Sequence, residues 1–206
     1  PLREGKGSCY EGGVRVPLTF RWPGHIAAGT RVNTPVIAED LFPTILEMAG
    51  VRNPPVVQAV DGQSLVKLVT DGSKLAARAA ARGEIVSQAE ASRLVVPAEV
   101  SGVDPERPLV LHYPHKWKPY DLPDIDFLSA VRKGDWKLVY RMQTGALELY
   151  DLATDIGEQH DLAARHPEKV RELAAELSSR LRGWRAPMPT VRRTGKPVPM
   201  PDELTR

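Results

Sequence analysis

The sequence predicts an α/β chain in two parts, on three observations. Leu41, Ile45, Leu46 and Ala49 make a helical stripe early in the chain. From Arg107 onward, short apolar runs follow one another at hairpin spacing. Val170, Leu173, Leu177 and Leu181 then fall at i, i+3, i+7 and i+11, the apolar face of a later helix. A helix with one apolar stripe needs a surface to cover, and the preceding strands supply it. The expected architecture over residues 1–72 is the closing part of a larger mixed sheet with helices. A variable insertion or linker is expected over 73–106. Residues 107–184 should form a small antiparallel sheet of about four strands packed on a C-terminal helix. A Pro/Arg-rich tail covers 185–206.

Taken in order, Val14, Val16, Leu18 and Phe20 alternate with Arg15, Pro17, Thr19 and Arg21, so Val14 to Trp22 reads as a strand. Pro17 confines it to an edge or a bulge, and Trp22-Pro23-Gly24 ends it. Asp40 reads as the N-cap of the first helix, Pro43 is tolerated in its first turn, and Gly50 stands at its C-terminal end. Ser64 to Val69 reads as a short helix stopped by Asp71-Gly72. Lys74 to Arg82 is alanine-rich and compatible with helix. Strands are expected at Leu109–Tyr113, Leu128–Arg132, Trp136–Arg141 and Ala146–Leu152. Lys133-Gly134-Asp135 and Gln143-Thr144-Gly145 are the turns. Pro167 occupies the favoured first position of the last helix and Gly183 ends it. The tail beyond Trp184 is expected to be disordered or strapped along the surface.

Composition narrows the function. At 206 residues the chain makes one ordinary domain or two small ones. A net charge of +2, with no basic stripe interleaved with aromatics, argues against a nucleic-acid partner. No apolar run reaches the roughly 18 residues of a membrane-spanning helix. One Cys excludes an internal disulfide.

The most informative stretch is Gly5-Lys6-Gly7-Ser8-Cys9-Tyr10-Glu11-Gly12-Gly13. Glycines let backbone approach a ligand, and Lys6 between two of them is a point cation with three donors. The residues alone suit a tetrahedral-anion site, sulfate or phosphate, but on composition they fit a solvated turn before a strand better. The spacing of a P-loop is absent. His112 and His115 stand three apart, but no third zinc ligand accompanies them, so no metal site is expected. Asp151 to Glu158 fails the EF-hand spacing and reads as a turn with local carboxylate-to-backbone bonds.

Gly5-Lys6-Gly7, Tyr10 to Pro17 and Arg21-Trp22-Pro23-Gly24 together resemble the sulfatases of the alkaline-phosphatase superfamily. The resemblance continues through Pro35-Val36, Asp40-Leu41, Pro43-Thr44 and Ala49-Gly50. It returns at Arg132-x-Gly134-x-Trp136-Lys137-Leu138, Glu148 to Leu152, Asp155, Glu158 and Asp161-Leu162. Their order matches the C-terminal portion of such enzymes. The resemblance implies an alkaline-phosphatase-like sheet, hydrolysis of sulfate esters, and a sulfated small molecule or glycan as substrate. It also implies a calcium ion and a formylglycine nucleophile, made from a Cys or Ser in a C-x-P-S-R-like motif. No such motif occurs in this chain, and Cys9, followed by Tyr10-Glu11-Gly12, does not fit it. Cys9 is expected to pack beside the loop instead.

By the same resemblance Lys6 is the sulfate contact and catalytic residue, His112 and His115 are candidate substrate contacts, and Gly5, Gly7, Glu11 and Arg15 support the loop. The nucleophile and calcium ligands are expected in an N-terminal portion preceding Pro1, the partner of this chain, and the chain alone is expected to be inactive. A phosphatase, phosphodiesterase or phosphonate monoester hydrolase of the same superfamily is the alternative enzyme; a non-catalytic binding module is the alternative outside enzymes. The family suggests a periplasmic, extracellular or lysosome-like compartment and leaves the cytoplasm open.

Overall fold

The computed structural model describes residues 2–29, 31–83, 98–120, 122 and 124–205. They form two compact units, residues 1–17 with 108–206 and residues 18–107. Residues 84–97 of the expected insertion lie outside the described residues.

The first unit is built on a four-stranded antiparallel meander: β1 (Leu109–Tyr113), β2 (Leu128–Lys133), β3 (Trp136–Arg141) and β4 (Ala146–Asp151), in that order. Lys133 pairs with Trp136 across the two-residue turn Gly134-Asp135. Gly134 has φ +58°, the left-handed conformation such a turn demands. Period-2 alternation gives the sheet two different faces. Val131, Leu138, Tyr140 and Leu149 lie on one, under Val170, Leu173, Ala174, Leu177 and Leu181 of the long helix Pro167–Gly183. The predicted stripe is thus the buried one.

The tail is strapped rather than free. Met188, Val198 and Met200 pack on this core, Tyr140 donates to the Pro199 carbonyl at 2.7 Å, and Arg182 forks onto Asp202 at 2.7 and 2.9 Å.

The opposite sheet face carries Leu128, Ala130, Val139 and Tyr150, and it is covered by Cys9 and Tyr10 from the N-terminal segment. Residues 1–17 therefore belong with the C-terminal sheet, whereas the sequence groups them with residues up to 72. The expected strand from Val14 to Trp22 is absent. Glu11–Val14 is a single helical turn, α1, and the run after it is irregular. Val16 and Leu18 are exposed, and no described strand pairs with this segment, so its alternating pattern has no ladder to join.

In the second unit, a 3₁₀ turn at Ala38–Asp40 leads into α2 (Leu41–Met48). Gly50 follows with φ +72°, and the Val51 amide closes back on the Leu46 carbonyl at 2.9 Å, a Schellman-type ending. The next helix, α3, runs Val66–Ala81, straight through Asp71-Gly72. The expected stop fails because Gly weakens a helix interior by only about 1 kcal/mol relative to Ala, and the alanine-rich segment continues the helix. A short helix, α4 (Ala98–Ser101), packs with it around Leu65, Leu68 and Val103.

Asp40 does not cap its helix with its side chain. Its buried carboxylate accepts from the Ile37 and Gln63 amides at 3.0 and 2.9 Å and pairs with both terminal nitrogens of Arg107. Burial alone would raise its pKa; the Arg107 fork and the two amides outweigh burial and hold it below the ordinary value. A depressed carboxylate contributes stability that is fully present above its unfolded pKa, about 3.9, and lost as pH falls through the folded value. Asp40→Asn should therefore lower the urea stability of the chain at pH 7, by about 3–5 kcal/mol for an opened buried pair. The gap to the wild type should close as the pH drops below 4. A gap constant across that range would contradict this role.

Candidate functional site

Lys6 sits on a tight turn closed by the Ser8 amide donating to the Gly5 carbonyl at 3.1 Å. Gly7, the third residue of the turn, has φ +96°, which a type II turn requires there. A Cβ at Gly7 would also lie only 2.0 Å from Cζ3 of Trp117. Glycine is thus demanded twice, by conformation and by space. The Ser8 hydroxyl donates to the Asp124 carbonyl at 2.5 Å. Lys6 itself is exposed, and among the described residues its ammonium makes no hydrogen bond or ion pair. The result is a cation on a fixed turn.

What fixes the turn lies beneath it, on the sheet face that the N-terminal segment covers. Lys137 of β3 is 1% exposed, and its ammonium stands 2.9 Å from Glu11 Oε1 and 2.9 Å from Glu158 Oε1. The other oxygen of Glu158 accepts the backbone amide of Glu11 at 2.6 Å. Arg15 and Arg132 approach Glu11 Oε2 at 3.6 and 4.0 Å. Burial pushes the Glu158 carboxyl above the usual range, against the pull of Lys137.

A second cluster continues along the same face. Arg141 donates to Asp124 at 2.6 Å and to Tyr10 Oη at 3.0 Å. The Tyr10 and Tyr150 hydroxyls both donate to Glu148 Oε2, at 2.5 and 2.9 Å. Arg3 donates to Tyr150 Oη at 2.8 Å and lies over the Tyr10 ring.

Cys9 is buried, and burial lifts its thiol pKa to about 12. It is a packing residue, not a thiolate.

The sequence-predicted residues thus divide. Gly5, Lys6, Gly7, Glu11 and Arg15 are gathered in one assembly. His112 is engaged internally at both ring nitrogens: Nε2 donates to the Pro187 carbonyl at 2.9 Å, which leaves Nδ1 to accept from the Ser129 hydroxyl at 2.6 Å. Burial lowers its pKa, with His115 adding to the shift. His115 is exposed, its ring 4.0 Å from that of Tyr113.

Lys137, Glu158, Arg141 and Glu148 were not assigned a role from sequence. Lys137, Glu148 and Glu158 lie in the segments that carry the sulfatase resemblance, and Lys137, Arg141 and Glu148 place charge at positions of β3 and β4 that share the Val139 and Tyr150 face. Such alternation reads as a solvated sheet face unless something covers it.

Residues 5–126 match the family model described as "N-sulphoglucosamine sulphohydrolase, C-terminal". A sulfatase of Formosa agariphila is 32% identical over 191 residues, 89% of this chain and 29% of the relative. Arylsulfatase K of Xenopus laevis is 29% identical over 178 residues, 84% of this chain and 27% of the relative. The chain thus spans under a third of the length of these two relatives. Among solved structures, Ps i-CgsB superposes with a TM-score of 0.57 at 25% identity, covering 89% of this chain and 32% of that one. A structure solved with D-glucosamine-2-N,6-O-disulfate shares the fold at a TM-score of 0.55 and 20% identity, over 80% of this chain and 28% of that one.

Lys137→Met removes the one ammonium between two buried carboxylates. It should destabilise the chain by about 3–5 kcal/mol, the cost of leaving a buried charge unpaired. Adding Glu158→Gln should recover part of that loss. The check is urea unfolding of the single and double variants; a single variant as stable as the wild type would contradict the assignment.

Proposed function

Since the chain belongs to the sulfatases, as a member of their N-sulphoglucosamine sulphohydrolase C-terminal family, we propose that it forms the C-terminal part of an enzyme hydrolysing sulfate esters, with Lys6 contacting the sulfate. The observation that carries this reading is the exposed Lys6 ammonium on a glycine turn locked from below. As the S–O bond to the leaving group breaks, charge shifts toward that oxygen. A fixed ammonium within reach of that ester oxygen stabilises the charge gathering there without reorganising. Arg15 and Glu11 support the turn, and His115 is a further candidate contact at the edge of β1.

The substrate class is a sulfated small molecule or glycan. A relative structure, Ps i-CgsB in complex with k-i-k-neocarrahexaose at 25% identity, favours the glycan. The formylglycine nucleophile and the calcium ion belong, in this reading, to other residues of the complete enzyme. Among the described residues, no three His, Cys, Asp or Glu side chains gather to hold a metal. The contribution of this chain is to bind and orient the sulfate. No described helix is long and apolar enough to cross a membrane.

In the complete enzyme, Lys6→Ala should lower kcat/KM for an aryl sulfate by about 10² or more, roughly 3 kcal/mol of transition-state stabilisation. The melting temperature should barely move. Lys6→Arg should also be poor, because a planar fork does not replace a point cation on a close-fitting turn. A stable Lys6→Ala enzyme with unchanged kcat/KM would remove Lys6 from the site.

The isolated chain should turn over neither aryl sulfate nor aryl phosphate, with or without calcium. Metal-dependent turnover by the chain alone would overturn the reading. A complete enzyme that prefers the phosphate ester would move it to the phosphatases.

A further inference from the structure

Beside the Lys6 turn stands an exposed tryptophan held with more care than a surface residue needs. Trp117 is 38% exposed, and its six-membered ring is seated on Gly7, the residue after Lys6, at 2.0 and 2.2 Å from where a Cβ would be. Its backbone is fixed by Asp126, which is 1% exposed. One oxygen of that carboxylate accepts the Trp117 amide at 2.9 Å and the other accepts the Leu122 amide at 3.0 Å. The base of the loop is closed by the Phe127 amide on the His115 carbonyl at 3.3 Å. The Asp124 carbonyl, bonded to Ser8, ties the loop to the turn that bears Lys6. Lys118 places its ammonium 5.9 Å from the Trp117 ring centre.

A buried carboxylate that accepts two loop amides, one on each oxygen, fixes the backbone at Trp117 and Leu122. What it holds in place is a partly exposed indole next to an exposed cation. We propose that Trp117 is a substrate-binding residue, an aromatic platform for the sugar ring of a sulfated saccharide whose sulfate is taken by Lys6. The negative face of an indole attracts the polarised C–H bonds of a pyranose, while the ammonium takes the anion. The two groups together select a sulfated sugar over a free sulfate. This rests on the reading of Lys6 as the sulfate contact.

The test uses the complete enzyme with aryl sulfate as the reporter. The competitors are sulfated disaccharides cut from carrageenan and from heparin, and inorganic sulfate. For Trp117→Leu, the inhibition constant of an inhibitory disaccharide should rise about 10-fold, while that of inorganic sulfate stays unchanged. Trp117→Phe should restore most of the disaccharide affinity. The proposal is overturned if neither disaccharide inhibits the wild type. It is also overturned if the leucine variant binds the disaccharide as well as the wild type, or if both constants rise together, which would make Trp117 only a prop for the turn. Lys6→Ala separates the two ideas. An unchanged inorganic-sulfate constant in that variant strikes the Lys6 reading alone, and the Trp117 pattern still reports saccharide stacking.

Discussion

The ammonium of Lys137 holds two carboxylates from distant parts of the chain, Glu11 near the start and Glu158 beyond the last strand, in the interior of one unit. The assembly of the N-terminal segment on the sheet depends on that contact. α1 is only four residues long, too short to persist on its own propensity. Its first amide is satisfied by Glu158, and its first side chain by Lys137. Two acids against one base would leave net negative charge inside, and the approach of Arg15 and Arg132 offsets it.

Rigidity then passes upward to the turn. Tyr10 is fully buried, with its hydroxyl committed to Glu148, and burial with the neighbouring carboxylate raises its pKa. Gly13 lies so close to the Ser8 and Gly5 carbonyls that a Cβ would meet them at 2.2 and 2.6 Å, so the helical turn and the Lys6 turn are packed backbone to backbone. A cation presented this way loses little freedom on meeting an anion, which is what positioning contributes to catalysis. The scheme spends buried charge on geometry, and the apolar half of the same sheet, under the long helix, supplies the stability to carry it.

The C-terminal sheet was legible because its signals are local. Leu109–Tyr113 and Trp136–Arg141 match their predicted ranges, and Val170, Leu173, Leu177 and Leu181 are buried as their spacing demands. Val14 to Trp22 was misread because alternation states only that a strand could form, not that a ladder awaits it. The helix stop at Asp71-Gly72 was misread because a single glycine is a weak breaker in an otherwise favourable sequence. At the site, Lys6 stood out through its glycines, and the sulfatase resemblance gave it a role. In the layer beneath it the resemblance marks Lys137 and Glu148 without giving them a role. Lys137, Arg141 and Glu148 look like a solvated face until Tyr10 and Glu11 are placed over them, and that pairing spans more than a hundred residues, beyond any local pattern. Trp117 was missed for a similar reason: only its packing on Gly7 distinguishes it from an ordinary loop aromatic.

In the proposed function the Lys6 ammonium meets the sulfate. Competitive acylation of the complete enzyme, read lysine by lysine by mass spectrometry with and without saturating inorganic sulfate, tests it most directly. Sulfate should slow modification of Lys6 several-fold and leave the exposed Lys196 unaffected, while buried Lys137 stays unmodified in both conditions. Equal rates at Lys6 with and without sulfate would contradict it.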